Sequence, residues 1–167
     1  FTDKGQVFSK KVFELPQAGP TGRGKAAINL LPLREGESIC SCLNVPKEAE
    51  NKYIFLCTEG GVAKKTPMLD CTKIRVTGLR VITLDEGDSV ISVQLTDGNQ
   101  ELFFATRDGM GLRVNESTLR AMGRQARGVR GVKLRKGDRV VSALALSGTG
   151  ELLTVTEGGY GKRTPIA

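Results

Sequence analysis

The chain reads TEGGVAKKTP at Thr58–Pro67 and TEGGYGKRTP at Thr156–Pro165. In each copy an apolar run ends in Thr, a polar Gly-containing turn follows, and a second run carries a basic pair before Thr-Pro. Glycine supplies the positive φ that tight hairpin turns demand, so each copy is expected to be two antiparallel strands and their turn.

Two further segments fall on the same frame: FTDKGQVFSKK at the start and ATRDGMGLRVN at Ala105–Asn115. The aligned glycines are Gly5, Gly61, Gly109 and Gly159, a period of roughly 50 residues that marks a repeat architecture. A second series interleaves with the first. GKAAINLLPLREGESI, TGLRVITLDEGDSV and RGVRGVKLRKGDRV carry their late glycines at Gly36, Gly87 and Gly137.

Each unit therefore predicts four short strands. The hairpin strands are expected at residues 53–58 and 62–66, 102–106 and 110–114, and 152–156 and 160–164. An irregular link follows, then a third strand (residues 80–84 and 131–134), a Gly turn and a fourth strand (89–95 and 139–146). Residues 28–31 also read as a strand. Helical periodicity is weak, with one turn at most at residues 116–121. The fold expected is all-β, a propeller-like array with repeats at 1–52, 53–101, 102–151 and 152–167. Phe1 is not a natural start, so the chain reads as a piece of a longer protein.

Composition narrows the function. The 167 residues carry 39% apolar and 26% charged side chains, which suits an ordered, turn-rich protein, and a net charge of +7 points to a polyanionic partner. With 5% aromatics and no Trp there are few stacking platforms for single strands, which favours duplex binding. Cys40, Cys42, Cys57 and Cys71 form no C-x-x-C pair and histidine is absent, so no metal site is expected and all four read as free thiols. No membrane span or leader is visible, and the reduced thiols suit the cytoplasm.

Catalytic motifs fail on inspection. GPTGRGKA at residues 19–26 is close to a phosphate loop, but Ala26 replaces the Mg²⁺-binding hydroxyl and a strand, not a helix, is expected after it. Without His there is no Ser-His-Asp or Cys-His site. Asp85, Glu86, Asp88, Asp97 and Asp138 sit at turns, where carboxylates cap local N–H groups.

The basic residues carry more. Lys10 and Lys11, Lys64 and Lys65, Arg113, and Lys162 and Arg163 occupy equivalent hairpin strands, and are expected to recur along one rim as DNA contacts. Arg120, Arg124, Arg127, Arg130 and Lys133, with Arg135 and Lys136 beyond, crowd one Gly-rich link. Small residues there let guanidinium and backbone N–H groups approach phosphates.

TEGGVAKKTP, TEGGYGKRTP, KVFELPQAGPTGRGKAAINLLPL at Lys11–Leu33 and RVNESTLRAMGRQARGVRGVKL at Arg113–Leu134 together resemble the blade motif of the C-terminal domain of the DNA gyrase A subunit. The resemblance implies a β-pinwheel, a disc of about six propeller-like blades that exchange strands with their neighbours. This chain would supply a little over three of them. It implies a non-catalytic domain that wraps duplex DNA round a basic rim, in support of ATP-dependent negative supercoiling. The partners implied are the rest of the gyrase A subunit, together with the gyrase B subunit. ATP, Mg²⁺ and the cleaving tyrosine would lie elsewhere in a cytoplasmic holoenzyme.

One departure is visible. The family's Q-R-R-G-G-K-G box is not in this sequence and by order of motifs would lie before Phe1, and GRQARGVRG at residues 123–131 resembles a degenerate relative of it. The similar domain of the topoisomerase IV A subunit, which lacks a well-formed box, is therefore an alternative, as is a propeller-like scaffold for protein partners.

Overall fold

A computed structural model describes residues 1–46, 48–146 and 148–166; Ala167, the last residue of the fourth repeat, lies outside the described residues. The fold is all-β. Its strands are β1 (Gln6–Val7), β2 (Tyr53–Thr58), β3 (Val62–Pro67), β4 (Leu79–Arg80), β5 (Val90–Thr96), β6 (Glu101–Thr106), β7 (Gly111–Asn115), β8 (Val129–Arg130), β9 (Val140–Leu146), β10 (Glu151–Val155) and β11 (Gly161–Pro165).

Every hairpin turn is built the same way, which explains the repeated Thr. Its carbonyl accepts from the Gly three residues on, and its hydroxyl accepts from the residue after that Gly. Thr58 takes Gly61 N at 3.0 Å and Val62 N at 3.1 Å. Thr2, Thr106 and Thr156 do the same at Gly5, Gly109 and Gly159. The four glycines hold φ between 73° and 83°, which a Cβ disfavours.

The complete blade is an antiparallel sheet in the order β5–β2–β3–β8. β5 comes from the link after its own hairpin. β8 comes from the following repeat and pairs Val62 with Arg130 and Ala63 with Val129. β4 likewise adds to β1, one repeat back. Each blade therefore borrows its fourth strand from the next repeat, and the sequence repeats are offset from the blades. The third blade shows β7–β6–β9, and β10–β11 stand as a pair.

Two expectations change here. The third strands, expected at residues 80–84 and 131–134, are instead β4 and β8, two residues each. β4 keeps only Arg80 of its expected span, and β8 lies wholly before residues 131–134, which are not strand, because only residues 79–80 and 129–130 pair with a neighbouring hairpin edge. Residues 28–31 are not a strand. Ala27–Asn29 form a 3-10 turn with Ile28 exposed, and no strand among the described residues pairs with them. That turn is too short to offer an anion site to residues 19–26, all of which are exposed. Glu116–Thr118 is also a single 3-10 turn.

Strand alternation in β2 builds two cores. Ile54 and Leu56 face back towards Val7, Val81 and Ile82; Phe55 and Cys57 face forward towards Leu102, Phe104 and Val140. Phe55 and Phe104 meet edge to face at 6.0 Å, an arrangement that adds to their burial. All four cysteines are free. Burial pushes the Cys57 thiol up to about 12 and the Cys71 thiol up to about 11, so both are inert core groups.

Candidate nucleic-acid interface

The hairpin cations do not share one surface. Lys64 is fully buried and Lys65 nearly so. Lys64 Nζ donates to Val81 O at 2.6 Å and to Arg124 O at 2.7 Å, tying two successive links together. Lys65 Nζ donates to Glu116 O at 3.1 Å and lies 5.2 Å from the centre of the Tyr53 ring. This corrects the rim assignment of Lys64 and Lys65: both ammonium groups are spent on main-chain carbonyls, Lys65 on the next repeat and Lys64 on the next repeat and its own link. Burial lowers the Lys64 pKa to about 8, against the pull of the nearby Cys71 and Asp70. The amine therefore stays protonated at neutral pH.

Arg113 is exposed but committed, with Nε 3.2 Å from Glu101 Oε2 and Nη1 donating to Ile166 O. Arg163 is exposed and sits 3.0 Å from Glu151, and Lys162 is exposed on the same strand. Lys10 and Lys11 lie on the exposed first link, Lys10 4.0 Å from Glu14 and Lys11 5.6 Å over the Phe13 ring.

The links present the freer cations. Among the described residues, Arg120, Arg124, Arg130, Lys133, Arg135 and Lys136 make no salt bridge, whereas Arg127 pairs with Asp85 at 2.6 Å across two repeats. Sequence reasoning missed Lys73, Arg75 and Arg80 in the preceding link. All three are exposed, and among the described residues no carboxylate pairs with them. With Arg124 they line an open groove that also holds Thr72, Thr77 and one carboxylate, Asp70. A second groove follows round Arg127, Arg130 and Lys133.

Arg80 and Arg130 are the recurrent pair. Each is the second residue of its link strand, β4 or β8, and each lies opposite the first residue of the hairpin strand it joins, Gln6 or Val62. The signal was available in sequence: both precede the late glycines Gly87 and Gly137 by seven residues. Of the acidic turn residues, Asp88, Asp97 and Asp138 accept from main-chain N–H groups as expected, whereas Asp85 pairs with Arg127 instead. Asp88 Oδ1 caps Gly60 N at 2.8 Å and Asp138 Oδ1 caps Asp108 N at 3.1 Å. Among the described residues no group of His, Cys, Asp and Glu could hold a metal ion, and no helix is long and apolar enough to cross a membrane.

The family model described as "DNA gyrase C-terminal domain, beta-propeller" matches residues 1–46, 52–97, 100–147 and 150–167. The chain belongs to this gyrase C-terminal domain family. The family model thus matches the chain in four successive segments. A curated relative, the DNA gyrase A subunit of Haloquadratum walsbyi, is 41% identical over 131 residues, covering 76% of this chain and 15% of the relative. Among solved structures, the C-terminal domain of DNA topoisomerase IV superposes with a TM-score of 0.89 at 32% identity, over 99% of this chain and 52% of that one. The DNA gyrase A C-terminal domain gives 0.82 at 25%, over 99% and 53%. The chain thus spans about half of the matched domain structures and a small part of the curated relative.

Proposed function

We propose that this domain binds duplex DNA through the cations of its links, without reading base sequence, and bends it as the wrapping part of a gyrase A subunit. The observation that carries the reading is the recurrence of Arg80 and Arg130 at equivalent, exposed and unpaired positions in successive link strands. Lys73, Arg75, Arg120, Arg124 and Lys133 thicken the track between them. DNA resists such a path, since bending a 20–30 bp site costs on the order of 1–6 kcal/mol. Several phosphate contacts, each releasing counterions, offset that cost. In the whole enzyme the bent segment would be handed to the strand-passage gate, and ATP would be hydrolysed outside this domain. That work belongs in the cytoplasm, on the nucleoid.

The higher TM-score to the topoisomerase IV domain favours a second reading, that of a topoisomerase IV A subunit. Supercoiling of relaxed plasmid by the holoenzyme supports the first reading; relaxation alone supports the second. The binding step is tested by anisotropy of a labelled duplex over a salt series. Arg80→Ala and Arg130→Ala are each expected to reduce the log K against log[salt] slope by about 1, equally on unrelated sequences. Unchanged slopes in both variants reject the link track.

A further inference from the structure

The two cations that follow a hairpin glycine by four residues, where a following repeat is present, end on the same kind of atom. Lys65 stands four residues after Gly61, and its Nζ donates to Glu116 O. Glu116 stands seven residues after Gly109 of the next hairpin. Arg113 stands four residues after Gly109, and its Nη1 donates to Ile166 O. Ile166 stands seven residues after Gly159. The accepting peptide is held from its other side. Glu116 N donates to Gln100 O at 2.8 Å and Ile166 N to Gly150 O at 2.9 Å, each closing the base of its own hairpin. Met68 N makes the equivalent bond to Lys52 O, but there the preceding hairpin offers the short Ser9.

We propose that the basic residue four places after the hairpin glycine is a blade-to-blade clamp, which grips the main-chain carbonyl seven places after the next hairpin's glycine and fixes successive blades relative to one another. A peptide whose N–H is already engaged presents its carbonyl at a fixed angle, so a long cationic side chain reaching across the gap reads position, not sequence. Charge strengthens such a bond, and burial excludes the competing water around Lys65. Lys64 reinforces the same joint by holding Val81 and Arg124. The hairpin cations thus set the spacing of the link arginines without touching the polyanion. The inference rests on the hairpin geometry and stands whether or not the domain binds DNA.

Amide hydrogen exchange on this chain tests it directly. Lys65→Met keeps the aliphatic volume and is expected to speed exchange at Glu116, Leu119 and Met122 at least tenfold, while Lys65→Arg restores protection. Arg113→Met is expected to do the same at Ile166, with rescue by Arg113→Lys. If Lys65→Met fails to fold, the wild-type protein still decides: a buried, hydrogen-bonded Lys65 ammonium gives a slowly exchanging Nζ–H signal in ¹⁵N spectra, and its absence overturns the clamp. Unchanged amide exchange in both Met variants also overturns it, whatever a DNA titration shows. The DNA salt slope is expected to be the same in the Met variants as in wild type. A drop of about 1 per substitution with amide exchange intact returns these residues to the phosphate contacts.

Discussion

The two TEGG hairpins share most of their residues and almost none of their surroundings. β2–β3 is enclosed by β5 on one edge and by β8, from the next repeat, on the other. Among the described residues, β10–β11 pairs only with itself. Phe55 is buried, whereas Leu153, at the equivalent position before its turn, is 63% exposed. Lys64 and Lys65 are sealed against carbonyls, whereas Lys162 and Arg163 face solvent. The motif therefore does not by itself dictate a surface charge. Its basic pair is addressed to neighbouring links, and a lysine becomes interior when those links wrap over it.

The hardest test of this contrast is the apolar face. Phe55→Ala removes a fully buried ring that meets Phe104 edge to face, and is expected to cost about 3–5 kcal/mol in urea unfolding. Leu153→Ala is expected to stay within about 0.5 kcal/mol, as surface changes do. Comparable losses at the two positions would show that β10–β11 is packed in solution as β2–β3 is.

The glycines give a smaller difference. At φ of 83° and 82°, Gly61 and Gly159 both disfavour alanine, by about 1–2 kcal/mol each. Gly61 carries an added obstacle. A Cβ there would lie 2.8 Å from Val132 Cγ1 and 3.0 Å from Val132 O, whereas at Gly159 nothing lies within 4 Å. Gly61→Ala is therefore expected to lower thermal stability more than Gly159→Ala, by roughly a further 1–3 kcal/mol for the overlap. Equal shifts would mean that residues 131–134 do not press on the turn.

The reach of sequence reasoning follows from the same geometry. Hairpins were legible because Thr, Gly and alternating apolar residues are local signals with a fixed period. The link strands were legible only as extended segments. Their two paired residues are chosen by a hairpin that lies one repeat earlier, which no local pattern records. Ile28 is the clearest case: it aligns with Leu79 and Val129 when the late glycines are superposed, yet among the described residues it has no hairpin edge to pair with and coils into a 3-10 turn. The site was half legible. Basic residues in the 120–136 link announce themselves by density, whereas Lys73, Arg75 and Arg80 are spread among neutral residues. Lys64 and Lys65 misled because a charged residue is a surface residue by default, and only the carbonyls of Val81, Arg124 and Glu116 reverse that.

The smallest effect is a pH dependence that belongs to the buried hairpin alone. Lys64 titrates near 8 in the fold because of burial, against an ordinary value of 10.5. Between those values the unfolded chain binds more protons than the folded one, so raising the pH through that window adds stability through Lys64; below 8 both states are charged and the effect vanishes. The groups that face it are Cys71, Asp70 and Arg124. Cys71 works in the opposite direction, since its thiol titrates near 11 in the fold and lower when unfolded. Comparison with Lys64→Met removes that background. Wild type minus variant is expected to rise with a slope of at most about 1.4 kcal/mol per pH unit between pH 8 and 10 in chemical denaturation. The two carbonyls that hold the proton reduce that slope. A flat difference between wild type and Lys64→Met across that window would mean that water reaches the Lys64 ammonium and that the links do not cover it.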